Sequence, residues 1–183
     1  MITGIASVWL TVKENIWCWP IGIVNVLLYV VVFREQRLYV SMALQIVYFV
    51  LNIYGWWEWR HGGEGGGALQ VSRTPLRWLV GLGLAGAAGT ALLGWVLRAQ
   101  TDAAVPFWDS ALGSFSIVAQ WMQTKKWLES WHVWIAVDVV SVGVYLVQGL
   151  ALTSVLYAVF LGLAVAGLLA WRRSMAAAAA GTA

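Results

Sequence analysis

Long apolar runs, each about as long as a lipid bilayer is thick, restrict what this chain can fold into more than any other feature. A helix needs about 20 residues to cross the hydrocarbon core. Only an α-helix or a closed β-barrel satisfies every backbone polar group there, and the period-two alternation of a barrel is absent. The sequence therefore predicts helical spans at residues 16–33, 38–59, 76–97, 105–124, 130–148 and 150–171.

A further apolar piece, residues 1–12, is too short to cross a bilayer. It lacks a basic start and a small-residue cleavage site, which argues against a signal peptide. We interpret it as the end of a shortened first helix, or as a sign that the chain start is incomplete. Only 10% of the residues are charged, against about 25% in soluble domains. The fold class is therefore an all-α integral membrane protein of seven helices, embedded in the lipid bilayer.

Several partner and cofactor classes are excluded by composition. The single Cys18 rules out a disulfide framework, and His61 and His132 are too far apart to suggest a metal pair by spacing. The basic residues flank apolar spans and form no patch, so no nucleic acid is expected as a partner. No cofactor or metal is predicted.

An internal repeat relates the two halves of the chain at an offset of 113 residues. It pairs Asn25 with Asp138, so the acid in the second half has a polar counterpart in the first. The span edges also correspond, with residues 76–97 left over as a connector. This predicts a 3+1+3 bundle with parallel repeats, as in some transporters. The other matched pairs are Thr11 with Thr124, Lys13 with Lys126, Val24 with Val137, and Ser41 with Ser154.

The repeat sets the predicted domain bounds. Residues 1–59 form the first three-helix bundle, 60–104 a loop and linker helix, 105–172 the second bundle, and 173–183 a flexible tail. With seven crossings, eight basic residues fall on one side and three on the other, which places the first side in the cytoplasm, the N-terminus outside and the C-terminus inside. The eight are Lys13, Arg60, Arg73, Arg77, Lys125, Lys126, Arg172 and Arg173, and the three are Arg34, Arg37 and Arg98.

Polar side chains recur at helical spacing in three spans, so each set shares one helix face. Intramembrane polar residues normally face the bundle interior or a water-filled cavity, although such residues also serve simply to hold helices together. Asp109 has a second explanation, since an acid three residues after Pro106 suits the start of a helix. The candidate binding residues from these stripes and from the repeat are Asn25, Gln45, Tyr48, Asn52, Asp109 and Gln120.

Asp138 is the most informative single residue. It shares one helix face with Trp131 and Trp134, at positions i, i+3 and i+7. A carboxylate at bilayer depth costs about 2.5–3.5 kcal/mol, and no Lys or Arg lies in the same span. Either the acid is protonated, or a cation arrives from outside. Trp131 alone would also suit an interfacial anchor. The group predicts a site for a flat, positively charged molecule.

Several motifs in order resemble the PnuC nicotinamide riboside transporters. They are LQ at 44–45 followed by NIYGWWEW at 52–59, PFWDS at 106–110, and WxxWxxxD at 131–138. The resemblance implies a SWEET-like 3+1+3 bundle, with a homotrimer as the expected assembly. It also implies facilitated diffusion of a vitamin across the bacterial inner membrane, trapped by cytoplasmic phosphorylation. Trp131, Trp134 and Asp138 take the positions that contact substrate, with Gln45 and Asn52 beside them.

Asp138 departs from the asparagine of the family motif. A carboxylate suits a permanently cationic ring, as in nicotinamide riboside or thiamine, whereas an uncharged flavin gains less from it. The segments GWW at 55–57 and FWD at 107–109 resemble the nicotinamide riboside subgroup of the family most, and this resemblance favours nicotinamide riboside, with thiamine as the alternative. An intramembrane enzyme is not expected, since HExxH and GxSxG motifs are absent. A structural or signalling membrane protein would leave the polar stripes unexplained.

Overall fold

The computed structural model describes residues 2–35, 39–100 and 106–181, and within them the chain forms seven α-helices. Arg37 lies outside these residues, and the side chain of Ser41 is not described. The helices confirm the all-α class predicted from the sequence. They are α1 (Ile2–Val12), α2 (Cys18–Glu35), α3 (Tyr39–His61), α4 (Leu76–Gln100), α5 (Pro106–Thr124), α6 (Ser130–Val147) and α7 (Ala151–Gly181).

The helix ends follow local chemistry. Pro106 opens α5, where its missing N–H costs nothing because the first-turn donors have no helical partner. Gly149 adopts a left-handed φ of 73° after α6, and Leu150 N–H then donates to the Tyr145 carbonyl. This is the Schellman ending that glycine favours. Residues 173–181, expected as a flexible tail, instead continue α7, since the alanine run after Arg173 is a strong helix former.

Six helices form a closed ring. Each packs on the next in the order α1, α2, α3, α5, α6, α7, and α7 returns to α1. The connector α4 lies outside this ring and packs on α5. Under the repeat, α1–α2–α3 corresponds to α5–α6–α7, and the α1–α7 contact corresponds to the α5–α3 contact. The two halves therefore enclose a common interior about a pseudo-twofold axis.

The turns fix the register of the repeat. Glu14 and Lys126 both have a φ of 53°, and each follows the last residues of its helix with the same hydrogen-bond pattern. These two residues are 112 positions apart. The expected offset of 113 is therefore wrong by one residue, and Asp138 corresponds to Val26, not to Asn25. Chance identities between apolar spans gave the wrong register, whereas the turn geometry fixes it.

The helix surfaces suit a bilayer. Among the described residues, α2, α4, α6 and α7 are long and apolar enough to cross a membrane, and α1 is a shorter apolar helix. Large apolar side chains cover the outside of the bundle, as with Leu84 at 67% and Leu92 at 63% exposed. Helices α3 and α5 carry several of the interior polar residues. We call the end of the bundle that carries turns 13–17 and 125–129 the basic end, because Lys13, Lys125 and Lys126 lie there.

Candidate functional site

A cavity of about 710 Å³ fills the centre of the six-helix ring, and all six helices contribute to its wall. We call it the central cavity. Eight of the nine residues predicted as binding candidates line it, although they come from four different helices. These are Asn25, Gln45, Tyr48, Asn52, Gln120, Trp131, Trp134 and Asp138.

Asp109 is the exception, because the structure does not bring it to the central cavity. It lies exposed in the first turn of α5. There the carboxylate meets the positive end of the helix dipole, which was the alternative explanation for this residue. The helical spacing places Asp109 on the same face of α5 as Gln120, which lines the cavity, but Asp109 lies too near the end of the helix to reach the interior.

Asp138 lies in the cavity wall with 4% of its surface exposed. Across the part of the chain that the structure describes, no ion pair includes it. Its neighbours on α6 at the cavity are Trp131 and Trp134. Among the described residues, Asp138 is thus the one acid that lines the interior, with two indoles on the same helix face and no cation paired with it.

The two indoles are held in different ways. Trp131 is 1% exposed, which excludes an anchor at the membrane surface, and its ring meets Trp171 edge to face at 5.3 Å between centroids. The Trp134 N–H donates to Oε1 of Gln123 at 2.6 Å. Both rings are therefore fixed before any ligand arrives, which lowers the entropic cost of stacking a ligand ring.

Helix α3 supplies another polar part of the cavity wall. The Asn52 amide N–H donates to the Tyr48 carbonyl at 2.7 Å, one turn earlier in the helix. Its carbonyl oxygen faces Gly22 of α2, where a Cβ would lie only 2.4 Å from that atom. Glycine at 22 therefore allows α2 and α3 to approach while Asn52 faces the interior. Gln45 lies on the same face of α3 and also lines the cavity.

Other cavity residues were missed in the sequence. Trp19 on α2 is the repeat counterpart of Trp131 in the observed register, and a 112-residue offset would have found it. Gln123, Tyr157 and Phe160 also line the cavity. No sequence signal distinguished the two aromatic residues of α7 from the lipid-facing ones.

Four buried tryptophans close the cavity at the basic end. We call Trp19, Trp59, Trp131 and Trp171 the tryptophan layer. Trp19 and Trp59 meet edge to face at 5.3 Å, as do Trp131 and Trp171. The Trp59 N–H donates to the Gln123 carbonyl at 3.0 Å, and the Trp171 N–H to the Thr11 carbonyl at 3.1 Å. These two bonds are repeat equivalents, and each joins one half of the protein to the other.

Comparison with known proteins identifies relatives along most of the chain. Residues 1–173 match the family described as nicotinamide mononucleotide transporter. The nicotinamide riboside transporter PnuC of Escherichia coli is 30% identical over 199 aligned residues, covering 94% of this chain and 83% of that protein. The riboflavin/roseoflavin transporter RibM of Streptomyces davaonensis is 27% identical over 173 residues, covering 93% and 81%.

A solved structure shares the architecture. A crystal structure of the vitamin B3 transporter PnuC superposes with a TM-score of 0.71, covering 94% of this chain and 78% of that one. The two sequences are 24% identical over this match. At that identity the likeness establishes the fold.

Proposed function

Since this chain belongs to the PnuC family of membrane vitamin transporters, we propose that it carries nicotinamide riboside across the bacterial inner membrane by facilitated diffusion. It is a multi-pass membrane transporter and not an enzyme. The observation that carries the choice of substrate is the unpaired Asp138 beside Trp131 and Trp134 in the central cavity.

Charge is the first support for a cationic vitamin. A buried carboxylate is costly unless it is paired, and among the described residues Asp138 has no ionic partner. The pyridinium ring of nicotinamide riboside supplies that charge. An indole face attracts a desolvated cation by about 2 kcal/mol or more, so stacking and charge pairing act on the same ring.

The size and polarity of the cavity support a small hydroxylated ligand. About 710 Å³ lies within the range of about 300–1,000 Å³ that is typical of small-molecule pockets. We propose that Gln45, Asn52 and Gln120 hold the ribose hydroxyls while the ring rests near Asp138. Tyr48 and Asn25 complete the polar wall.

The repeat supports alternating access. Two three-helix units related by a pseudo-twofold axis share one binding site, and rocking one unit against the other would expose that site to either side. No coupling ion is required, because one acid and one cationic substrate neutralise each other. We propose that the basic end faces the cytoplasm, with the N-terminus outside, and that phosphorylation there traps the vitamin. A homotrimer is the assembly proposed from the family.

Because relatives of this chain are transporters of different vitamins, the identity of the vitamin is the point to test. The comparisons include a nicotinamide riboside transporter and a riboflavin transporter, and thiamine is the second cationic candidate. The experiment is counterflow in proteoliposomes loaded with each of the three vitamins, measured with the matching labelled vitamin outside. Asp138→Ala serves as the variant, since it removes both the charge and the polar atoms, whereas asparagine is the residue of the family motif at this position.

We expect exchange of nicotinamide riboside, weaker or no exchange of riboflavin, and a loss of nicotinamide riboside exchange in Asp138→Ala. Thiamine exchange with the same dependence on Asp138 would keep the charge argument and change the substrate. Exchange of riboflavin alone, unaffected by the variant, would overturn the proposal.

A further inference from the structure

A second cavity lies at the basic end of the molecule. It has a volume of about 290 Å³ and is lined by Glu14, Lys126, residues 68–71 and the last turns of α7. It shares no lining residue with the central cavity. The two cavities are separated by the tryptophan layer, whose members Trp59 and Trp171 are 4% and 0% exposed.

An ion pair lies between the tryptophan layer and the second cavity. The Lys126 ammonium is 2.8 Å from a Glu14 carboxylate oxygen and 4.7 Å from the ring centroid of Trp59. It also donates to the Leu69 carbonyl at 3.0 Å. Lys126 thus touches the layer on one side and the wall of the second cavity on the other.

The two members of this pair occupy equivalent positions in the repeat. They have the same left-handed φ of 53° and are 112 residues apart. Residues at equivalent positions that contact each other must lie on the pseudo-twofold axis, where the two halves meet. When the halves tilt apart at this end, the distance between them has to increase.

Other polar contacts between the halves lie at the same end. Lys125 of the second half contacts Glu58 and Tyr54 of the first. Together with the two indole bonds of the tryptophan layer, these contacts hold the basic end shut. Among the described residues, five side-chain hydrogen bonds between the two repeats lie at this end.

We propose that Glu14 and Lys126 form the latch of a gate, and that the second cavity is the chamber through which substrate leaves once the latch opens. The inference rests on the proposed transport function. Breaking the pair removes an ionic contact on the axis and leaves a partly buried charge without its partner, which favours the open state. The tryptophan layer then loses the cation above Trp59.

The reactivity of Cys18 can report whether the gate is open. Cys18 is the only cysteine of the chain, lines the central cavity and is 2% exposed. A membrane-impermeant maleimide added at the basic end reaches Cys18 only if the gate opens. In oriented vesicles the reagent reaches only one face of the protein. That face is identified with Glu64→Cys in a Cys18→Ser background, because residue 64 is exposed at the basic end.

Exchanging the two charges gives a clean test. Positions 14 and 126 share one left-handed backbone conformation, and the protein already holds a Glu in one and a Lys in the other. Glu14→Lys and Lys126→Glu therefore reverse each charge without requiring a new backbone conformation. Each single variant is expected to raise the Cys18 labelling rate from the basic end about tenfold, which corresponds to about 1.4 kcal/mol. The double exchange is expected to restore the wild-type rate. Glu14→Gln, a milder change, should raise the rate in the same direction.

Lys13→Glu is the matched control, since it makes the same charge change one residue away. Lys13 is exposed, with its ammonium over the Trp9 ring. The rate of Cys18 labelling in Lys13→Glu should therefore match that of the wild-type protein. Wild-type rates in both single variants, or a double exchange as reactive as the singles, would overturn the latch. Labelling requires no vitamin, so a failure to transport nicotinamide riboside would refute the proposed function without changing this result.

Discussion

Replacing Gly167 with alanine is expected to displace Trp131 from the wall of the central cavity. A Cβ at position 167 would lie 2.5 Å from two ring carbons of Trp131, closer than real Cβ contacts occur. The ring cannot move away freely, because it is 1% exposed and rests against Trp171. Overpacking of this kind costs about 1–3 kcal/mol, which exceeds the gain of about 0.5–1 kcal/mol from removing a helix glycine.

Gly162→Ala is the matched control in the same helix, since a Cβ there meets nothing within 4 Å. It should stabilise the protein by about 0.5–1 kcal/mol, whereas Gly167→Ala should lower the thermal unfolding midpoint. Loss of one stacked indole should also weaken vitamin binding about tenfold or more. Both effects are measured on purified protein, by thermal unfolding and by tryptophan-fluorescence titration. A normal midpoint with unchanged affinity for Gly167→Ala would refute the packing of Trp131.

Three further predictions follow from other contacts. Gln123→Leu removes the acceptor of the Trp134 N–H and should weaken vitamin affinity about tenfold. Gln123→Glu keeps an acceptor and should retain most of the affinity. Equal losses of affinity in the two variants, measured by a binding titration, would contradict the role of Gln123 in holding Trp134. Burial raises the pKa of the Glu129 carboxyl, but hydrogen bonds from the Thr74 backbone and the Arg73 guanidinium outweigh it and hold the pKa below its usual range. The stability that Glu129 gives the 68–74 connection is therefore full above the unfolded pKa of about 4.3 and is lost as the pH falls through the lower folded value. Hydrogen exchange of these amides should accelerate in that window, and at all pH values in Glu129→Gln; a flat pH profile would argue against the contact. Asp109→Asn should leave uptake unchanged, because this side chain lies outside the central cavity, and a strong loss of uptake would place it in the pathway.

The spans were predictable because apolar run length is a strong signal in a membrane. Span 130–148 corresponds to α6 at Ser130–Val147, and span 105–124 to α5 at Pro106–Thr124. The polar face of α3 was also readable, since Gln45, Tyr48 and Asn52 recur at helical spacing and all line the cavity. Polar residues within an apolar membrane span normally face the interior of the bundle, because exposure to lipid is unfavourable for them.

The register of the repeat was predicted wrongly, although the sequence carries the correct one. At an offset of 112, Trp19 pairs with Trp131 and Trp59 pairs with Trp171. The turns at Glu14 and Lys126 fix the same offset in the structure. The offset of 113 rests on fewer identities, and it leaves the partnership of Trp19 with Trp131 undetected.

The packing of side chains and helices around the cavity could not be predicted from the sequence either. The repeat left residues 76–97 as a connector, but nothing in the order of residues indicates that α4 packs on α5. Nor does it indicate that tryptophans on α3 and α7 help to close the cavity at one end. That closure depends on contacts between segments far apart in the chain, and it is evident from the indole N–H bonds of Trp59 and Trp171 to carbonyls in the opposite repeat.

The central claim is that Asp138 selects a positively charged vitamin. The most direct test compares the affinities of nicotinamide riboside and of its reduced, uncharged form, which share the ribose and the ring outline. Wild-type protein should bind the cation at least about tenfold more tightly, a preference of about 1.4 kcal/mol, and Asp138→Asn should abolish that preference. An equal preference for the cation in both proteins would contradict the account.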